Sequence, residues 1–219
     1  MAWGNSEPEV VVLGFSKGPN QAGALATTPH DQIAYKGGRG NVGRILAHVG
    51  LLDPGPVESL ARDVDRAIAD RNGRFHFSSL IRCTVERHDA RSDTWKGSGG
   101  SMLDSFLKSE FGYGVATRCA ARYLGDLPNS VRLIVLFGLG TNLNYVNATF
   151  SLFQIARPGA WKRISDVAYT DEKIYVVHVE HFKSQGSLIP DWLGDTEKPR
   201  AVYGRLAREA VQRALERIT

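Results

Sequence analysis

Four apolar runs divide the chain, and each gives way to glycine or polar residues. They are Val10 to Leu13, Phe75 to Cys83, Val131 to Gly138 and Ile174 to His181. Nearly continuous apolar runs of this length are typical of strands that are buried on both faces, as in parallel sheets. Open α/β folds bind their ligands at the carboxyl ends of such strands. The pattern therefore predicts that the residues after these runs converge on one cleft.

Apolar residues recur at helical spacing between the strands. The clearest case runs from Val57 to Ile68, between a Pro/Gly break and Asn72-Gly73. Further helices are predicted over residues 41–52 with Asn41 as N-cap, and over 101–111, 113–124, 143–155 and 201–218, the last with Val202 on its apolar side. A strand is predicted over 164–169, a long loop over 14–43 and a polar surface excursion over 84–101. This order predicts a three-layer αβα sandwich around a central, mainly parallel sheet of four to five strands.

Length and composition favour one domain spanning residues 1–219, because no linker divides the chain. The sequence shows no charged-then-apolar leader and no apolar run of membrane-spanning length, so we expect a soluble, cytoplasmic protein without membrane contact. Cys83 and Cys119 lie far apart without a CxxC partner, which disfavours a disulfide framework and a zinc site. The net charge of +4 and pI near 9.1 favour an anionic partner, although an ordinary basic enzyme has the same composition.

His181 is the strongest candidate for chemistry. It lies where an apolar strand gives way to a Ser/Gln/Gly loop, a position from which an imidazole can donate to a developing negative charge. His178, on the same strand, is the alternative, and spacing does not decide between them. The loop after the first strand adds Ser16 and Lys17 to the same cleft, and the second strand adds Ser78 and Ser79.

Several catalytic motifs are absent or incomplete. No GxSxG elbow occurs, since Ser16 lies in Gly14-Phe15-Ser16-Lys17-Gly18, and this weakens a serine-hydrolase hypothesis. The Gly138-Leu139-Gly140 turn lacks the third glycine and the acidic partner of a dinucleotide site. His178 and His181 are three residues apart on a strand, which turns them to opposite faces. We therefore expect neither a metal nor a nucleotide cofactor.

Five segments follow one another along the chain: Gly14 to Gly18, Tyr35 to Leu46, Phe77 to Cys83, Val131 to Thr141 and His181 to Ser184. Their order resembles that of the uracil-DNA glycosylase superfamily over most of the chain, and it is most like the iron-sulfur type of that superfamily. The resemblance implies a monomeric enzyme that removes uracil from DNA for base excision repair. It implies no iron-sulfur cluster, because only Cys83 and Cys119 match cluster positions and the amino-terminal pair has no counterpart.

The resemblance also implies roles for particular residues. His181 would stabilise the leaving uracil anion, Tyr35 or Phe15 would stack on the flipped base, and Ser79 would contact the uracil edge beside Gly14 and Ser78. Ser16 stands where the superfamily has a water-activating Asp, Glu or Asn. Since serine is a poor general base, Asp31 in the same loop is a second candidate for holding or activating water. Alternatively, Asp31 is a solvated turn residue without a catalytic role.

Residues around the cleft could hold DNA. Lys17, Arg39, Arg44, Lys183 and Ser184 are candidates for phosphate contact, and Leu188 for a wedge where the base leaves the stack. Leu188 and Ile189 could equally cover the core. Two other functions stay open: a non-catalytic protein that binds DNA or a damaged base on the same fold, and a hydrolase or transferase acting on a small nucleotide.

Overall fold

The computed structural model describes residues 1–97 and 105–216. Its central sheet has seven strands in the order β1-β3-β2-β6-β9-β8-β7, and β4 and β5 form a separate antiparallel hairpin. The strands are β1 (Trp3–Gly4), β2 (Val10–Lys17), β3 (Phe75–Thr84), β4 (Glu86–Asp89), β5 (Thr94–Gly97), β6 (Leu133–Phe137), β7 (Lys162–Ser165), β8 (Ala168–Thr170) and β9 (Tyr175–Val179).

The middle of the sheet is parallel, as the apolar runs predict. Strands β3, β2, β6 and β9 pair in parallel, with Val12 opposite both Phe77 and Val135, and Leu136 opposite His178. The strand count is larger than the predicted four to five, because β1 on one edge and β8 with β7 on the other add antiparallel partners. These edge strands have two to four residues each, too short to give a clear apolar pattern.

Helices cover both faces of this sheet, which confirms the three-layer αβα class. They are α1 (Pro19–Gly23), α2 (His30–Ile33), α3 (Arg39–His48), α4 (Val57–Ala69), α5 (Glu110–Leu124), α6 (Asn144–Ala156), α7 (Leu188–Leu193) and α8 (Ala201–Glu216). Right-handed crossovers place α3 and α4 on one face, and α5 and α6 on the other. No helix in the described ranges is both long and apolar enough to cross a bilayer.

Residues 14–43 differ from the predicted loop. Strand β2 continues through Gly14 to Lys17, and α1 and α2 occupy much of the rest. Asn41 is wrong as an N-cap, because α3 begins at Arg39 with Gly38 in the cap position. Instead, Nδ2 of Asn41 donates to the carbonyl of Phe182 over 3.1 Å, linking α3 to the loop after β9.

Three other local predictions need correction. The single strand predicted over 164–169 is a hairpin, since Ser165 of β7 pairs with Ala168 of β8. The polar excursion over 84–101 contains the β4–β5 hairpin, and its last residues, with the start of the helix predicted from 101, lie outside the described residues. In α8 the buried stripe follows small residues such as Gly204 and Ala207, whereas Val202 is exposed, because α8 packs closely on the segment before it.

The sheet contains a break in strand order where a cleft can form. Strand β2 pairs with β6 only as far as Leu13, opposite Leu136, and beyond that point it pairs with β3 alone. The chain leaves β2 towards β3 on one side and leaves β6 towards β9 on the other, so the carboxyl ends of β2 and β6 form a topological switch point. The residues from Gly14 onward therefore border an opening at the carboxyl edge.

Candidate active site

A cavity of about 400 Å³ lies at this carboxyl edge, between the ends of β2 and β3 and the loop after β9. This volume is within the range of small-molecule sites. It brings together eight of the residues that the sequence analysis selected. They are Gly14, Phe15, Ser16, Tyr35, Ser78, Ser79, His181 and Lys183.

His181 is held in one orientation at the cavity wall. Its ring stacks on Phe182, with centroids 4.7 Å apart, and its Nδ1 accepts a hydrogen bond from the backbone N–H of Lys183 over 3.2 Å. Burial lowers the pKa of His181 and outweighs the opposing effect of the Glu180 carboxylate, and Lys183 lowers it further. The ring is therefore neutral near pH 7, and since Nδ1 is an acceptor, Nε2 carries the proton.

Of the two histidines, only His181 lines the cavity, and His178 lies in the core. It is fully buried beneath β6 and α6, where Nδ1–H donates to the carbonyl of Gly138 over 2.9 Å and Nε2 lies 2.9 Å from the hydroxyl of Thr149. It does not line the cavity. His178 is thus a core residue with internal hydrogen-bond partners.

Four aromatic rings pack together beside His181, and two of them, Tyr35 and Phe182, form a floor of the cavity. Tyr35 makes edge-on contacts with Phe77, Phe137 and Phe182, at centroid distances of 5.9, 5.8 and 5.0 Å. Tyr35 also has φ 53°, a left-handed conformation that non-glycine residues seldom adopt. The strained residue lies at the cavity and is fixed by its three ring neighbours, so the floor is rigid.

We predict that Gly38→Ala disrupts this floor. A Cβ at position 38 would lie 2.7 Å from Cδ2 of Phe182, whose buried ring is held by Tyr35 and Phe137. The clash is expected to lower the free energy of unfolding by about 1–3 kcal/mol, measured by urea unfolding. Gly23→Ala is the matched control, because nothing lies within 4 Å of a Cβ there. Equal stability of the two variants would contradict the close contact between Gly38 and Phe182.

The two serines of β3 differ in their partners. Ser78 receives a hydrogen bond from the guanidinium of Arg82, which stacks on the ring of Tyr123 at 4.7 Å. Ser79 lies opposite Gly14 in the sheet and has no side-chain hydrogen bond to any described residue. Its hydroxyl is therefore available to a ligand in the cavity, whereas that of Ser78 is already engaged.

Asp31 and Arg39 lie outside the cavity lining and form other contacts. The carboxylate of Asp31 pairs with Arg71 at 2.7 Å and with His30 at 3.3 Å. Burial raises the pKa of this carboxyl, but the hydrogen bonds and charges of Arg71 and His30 together outweigh burial and lower the pKa. Arg39 donates to the carbonyls of Ala34 and Asp31 and pairs with Asp65. Asp31 thus lacks a direct path to water in the cavity, and Arg39 braces α2 against α3 and α4.

The other candidates for DNA contact, apart from Lys183, also lie outside the cavity lining. Lys17 ends β2 beyond a register shift, and Arg44 pairs with Asp195 at 3.0 Å. Ser184 donates to Glu180 over 2.7 Å, so its hydroxyl is engaged internally. Leu188 is 39% exposed at the start of α7, whereas its neighbour Ile189 is buried in the core.

Sequence reasoning missed four residues of the site. Trp3, Gln21 and Lys36 line the cavity, and Glu180 lies buried directly behind His181. Trp3 lies on the short edge strand β1 and Gln21 lies on the five-residue helix α1. Both elements are too short to show the spacing of apolar residues that identifies a strand or a helix. Glu180 was detectable in principle, because an acidic residue that ends a continuous apolar strand must find a partner when it is buried.

The described lining of the cavity contains lysines and a histidine but no aspartate or glutamate. The described residues also contain no group of three His, Cys, Asp or Glu side chains that could hold a metal ion. The cavity therefore suits a ligand that is anionic or becomes anionic. No protein-family model matches the chain, and no curated protein matches it in sequence.

Proposed function

We propose that this protein is a monomeric, cytoplasmic uracil-DNA glycosylase, which hydrolyses the N-glycosidic bond of deoxyuridine in DNA for base excision repair. The observation that carries the proposal is the neutral imidazole of His181, whose Nδ1 is occupied by the Lys183 amide and whose Nε2–H is left as a donor. The order of sequence segments that resembles the superfamily supports it, since four of the five segments contribute residues to one cavity, all except Val131 to Thr141.

Cleavage of the glycosidic bond leaves its electron pair on the base, so uracil departs as an anion. The Nε2–H of His181 donates to this developing charge without having to lose its proton. A preorganised donor of this kind contributes about 10²- to 10³-fold to a rate. A water molecule supplies the hydroxyl that bonds to the sugar carbon, and its proton passes to solvent or to the uracil anion.

The cavity also supports recognition of an extruded base. Its volume of about 400 Å³ accommodates one pyrimidine, and the hydroxyl of Ser79 faces no competing protein partner in the described residues. Extruding a base costs a few kcal/mol, which contacts in the pocket must offset. Tyr35 and Phe15 supply apolar surface for one face of the base.

Ser16 is the lining residue proposed to position water. A hydroxyl orients water by hydrogen bonding but does not deprotonate it at neutral pH. With no carboxylate in the described lining, stabilisation of the leaving group carries most of the reaction. Lys183 and Lys36 at the same cavity add positive charge towards the phosphates that flank the base.

The absence of a carboxylate from the described lining favours one alternative, a protein that binds DNA or a damaged base without cleaving it. An end-labelled oligonucleotide with a single uracil separates the two functions. The enzyme produces an abasic site, revealed by alkaline strand cleavage, and leaves a thymine control intact. Binding without an abasic product supports the alternative.

We predict that Ser79→Ala lowers kcat/KM for uracil release by about fivefold, because a hydrogen bond to a ligand contributes about 1 kcal/mol. Its melting temperature is expected to stay near that of the wild type, since the hydroxyl has no described internal partner. Ser78→Ala is the matched comparison and is expected to lower the melting temperature, because Arg82 loses its acceptor. A wild-type kcat/KM in Ser79→Ala argues against base recognition by this residue.

A further inference from the structure

A buried carboxylate lies directly behind His181. The side chain of Glu180 is 3% exposed and follows β9. Its Oε1 accepts hydrogen bonds from the backbone N–H of His181 over 2.9 Å and from the hydroxyl of Ser184 over 2.7 Å, and its Oε2 accepts one from Nε of Arg200 over 2.5 Å. A buried carboxylate is costly unless it is paired and hydrogen-bonded. Two of its three donors belong to the turn that carries His181.

Arg200 lies at the far end of the same stretch of chain, 20 residues from Glu180. Their ion pair closes the base of residues 181–199, which we call the His181 segment. A second buried carboxylate, Asp191, holds the middle of the segment, where it accepts from Ser187 over 2.9 Å and Thr196 over 2.7 Å. The segment is therefore fixed at two independent points.

The contacts of Glu180 bear on the ring of His181 through the turn. The N–H of Ser184 donates to the carbonyl of His181 over 2.8 Å, and this closes a tight turn over residues 181–184. Glu180 binds the first residue of the turn through its backbone and the last through its side chain. That same turn presents the amide of Lys183 to Nδ1 of His181. The ring orientation thus depends on where Glu180 holds the turn.

We propose that Glu180, paired with Arg200, is a positioning residue that fixes the 181–184 turn and thereby keeps His181 in the Nε2–H form at the cavity. Its consequence for catalysis rests on the proposed glycosylase function. The effect on the tautomer and on the titration of His181 does not, because both are properties of the free protein.

Two charged groups, Glu180 and Lys183, act directly on His181. Arg200 is paired with Glu180, and Lys36 lines the same cavity as His181. The carboxylate of Glu180 raises the pKa of His181, opposing the larger effect of burial. Neutralising Glu180 therefore lowers the pKa of His181 further. Removing the charge of Arg200 raises the pKa of His181, because the positive charge of Arg200 then no longer offsets the negative charge of the Glu180 carboxylate.

The test measures the ring nitrogens of His181 by NMR in the wild type, Glu180→Gln and Arg200→Gln, without substrate. We expect the Nε2–H form in the wild type, a lower His181 pKa in Glu180→Gln and a higher one in Arg200→Gln. In parallel, kcat for uracil release is expected to fall about tenfold in Glu180→Gln, with KM for DNA changing less than twofold. Asp191→Asn is the matched control, which removes the other buried carboxylate of the segment and leaves the His181 titration at its wild-type position.

An unchanged tautomer and pKa of His181 in folded Glu180→Gln would overturn the proposal. If that variant does not fold, Arg200→Gln decides alone, and a His181 pKa that stays the same or falls overturns the proposal. If the wild type releases no uracil, the glycosylase function fails, yet the NMR results still decide the role of Glu180.

Discussion

We expect His181→Gln to slow the release of uracil from DNA by about 10²- to 10³-fold, because a flexible side-chain amide replaces the fixed imidazole N–H, and a donor that is not preorganised stabilises the leaving base less. In the structure the fixed donor is Nε2–H, since Nδ1 already accepts the Lys183 amide. The interaction strengthens only as charge develops on uracil, so kcat and kcat/KM fall together. Single-turnover release with excess protein measures this step directly.

His88→Ala is the control for this experiment. His88 lies on the exposed β4–β5 hairpin, outside the cavity lining, and its ring contacts Trp95 and Asp93. We expect wild-type rates from this variant. If His181→Gln releases uracil as fast as His88→Ala, the leaving-group role of His181 is excluded, whatever the affinity for DNA.

The second large effect is a loss of stability on acidification, caused by His178. Burial lowers the pKa of this residue to about 4 in the folded protein, although its hydrogen bond to the Gly138 carbonyl opposes the shift. In the unfolded chain the pKa is near the ordinary 6.5. The unfolded state therefore binds a proton more readily below pH 6.5. The stability is fully present above that pH and falls by about 3 kcal/mol as the pH approaches 4.

Urea unfolding between pH 7.5 and 4.5 measures this loss, and His178→Gln is expected to flatten the dependence. His88→Ala, which changes an exposed histidine, keeps the wild-type slope. Because His178→Gln also loses internal hydrogen bonds, NMR titration of His178 in the wild type provides an independent test. Protonation of His178 near pH 6.5 in the folded protein contradicts the account.

The main sheet and its cleft could be predicted because parallel strands buried on both faces appear in the sequence as nearly continuous apolar runs. Four apolar runs gave the four parallel strands. Residues in or after three of these runs line one cavity, whereas the run that forms β6 contributes none to the described lining. The edge strands show no such apolar run, since β1, for example, has only two residues and takes its register from β3. Trp3 at the cavity was for that reason beyond prediction.

The roles of individual side chains depended on contacts that are distant in sequence. The choice between His178 and His181 was decided by α6, which buries His178 against Thr149. Arg39 was a candidate for phosphate contact, yet it pairs with Asp65, and its neighbour Gly38 is needed for the approach of Phe182, 144 positions further along the chain. Local sequence shows that a position is small or charged, but its partner is set by the tertiary fold.

The most direct test of the central claim is a crystal structure of His181→Gln bound to DNA that contains one uracil, because the slow variant keeps the substrate intact. The account predicts the uracil extruded into the cavity beside Phe15, Tyr35 and Ser79, with the side chain of residue 181 within about 3 Å of the base. A uracil that stays stacked in the DNA, or one bound at the separate cleft lined by Asp63, Arg66 and Arg74, would contradict it.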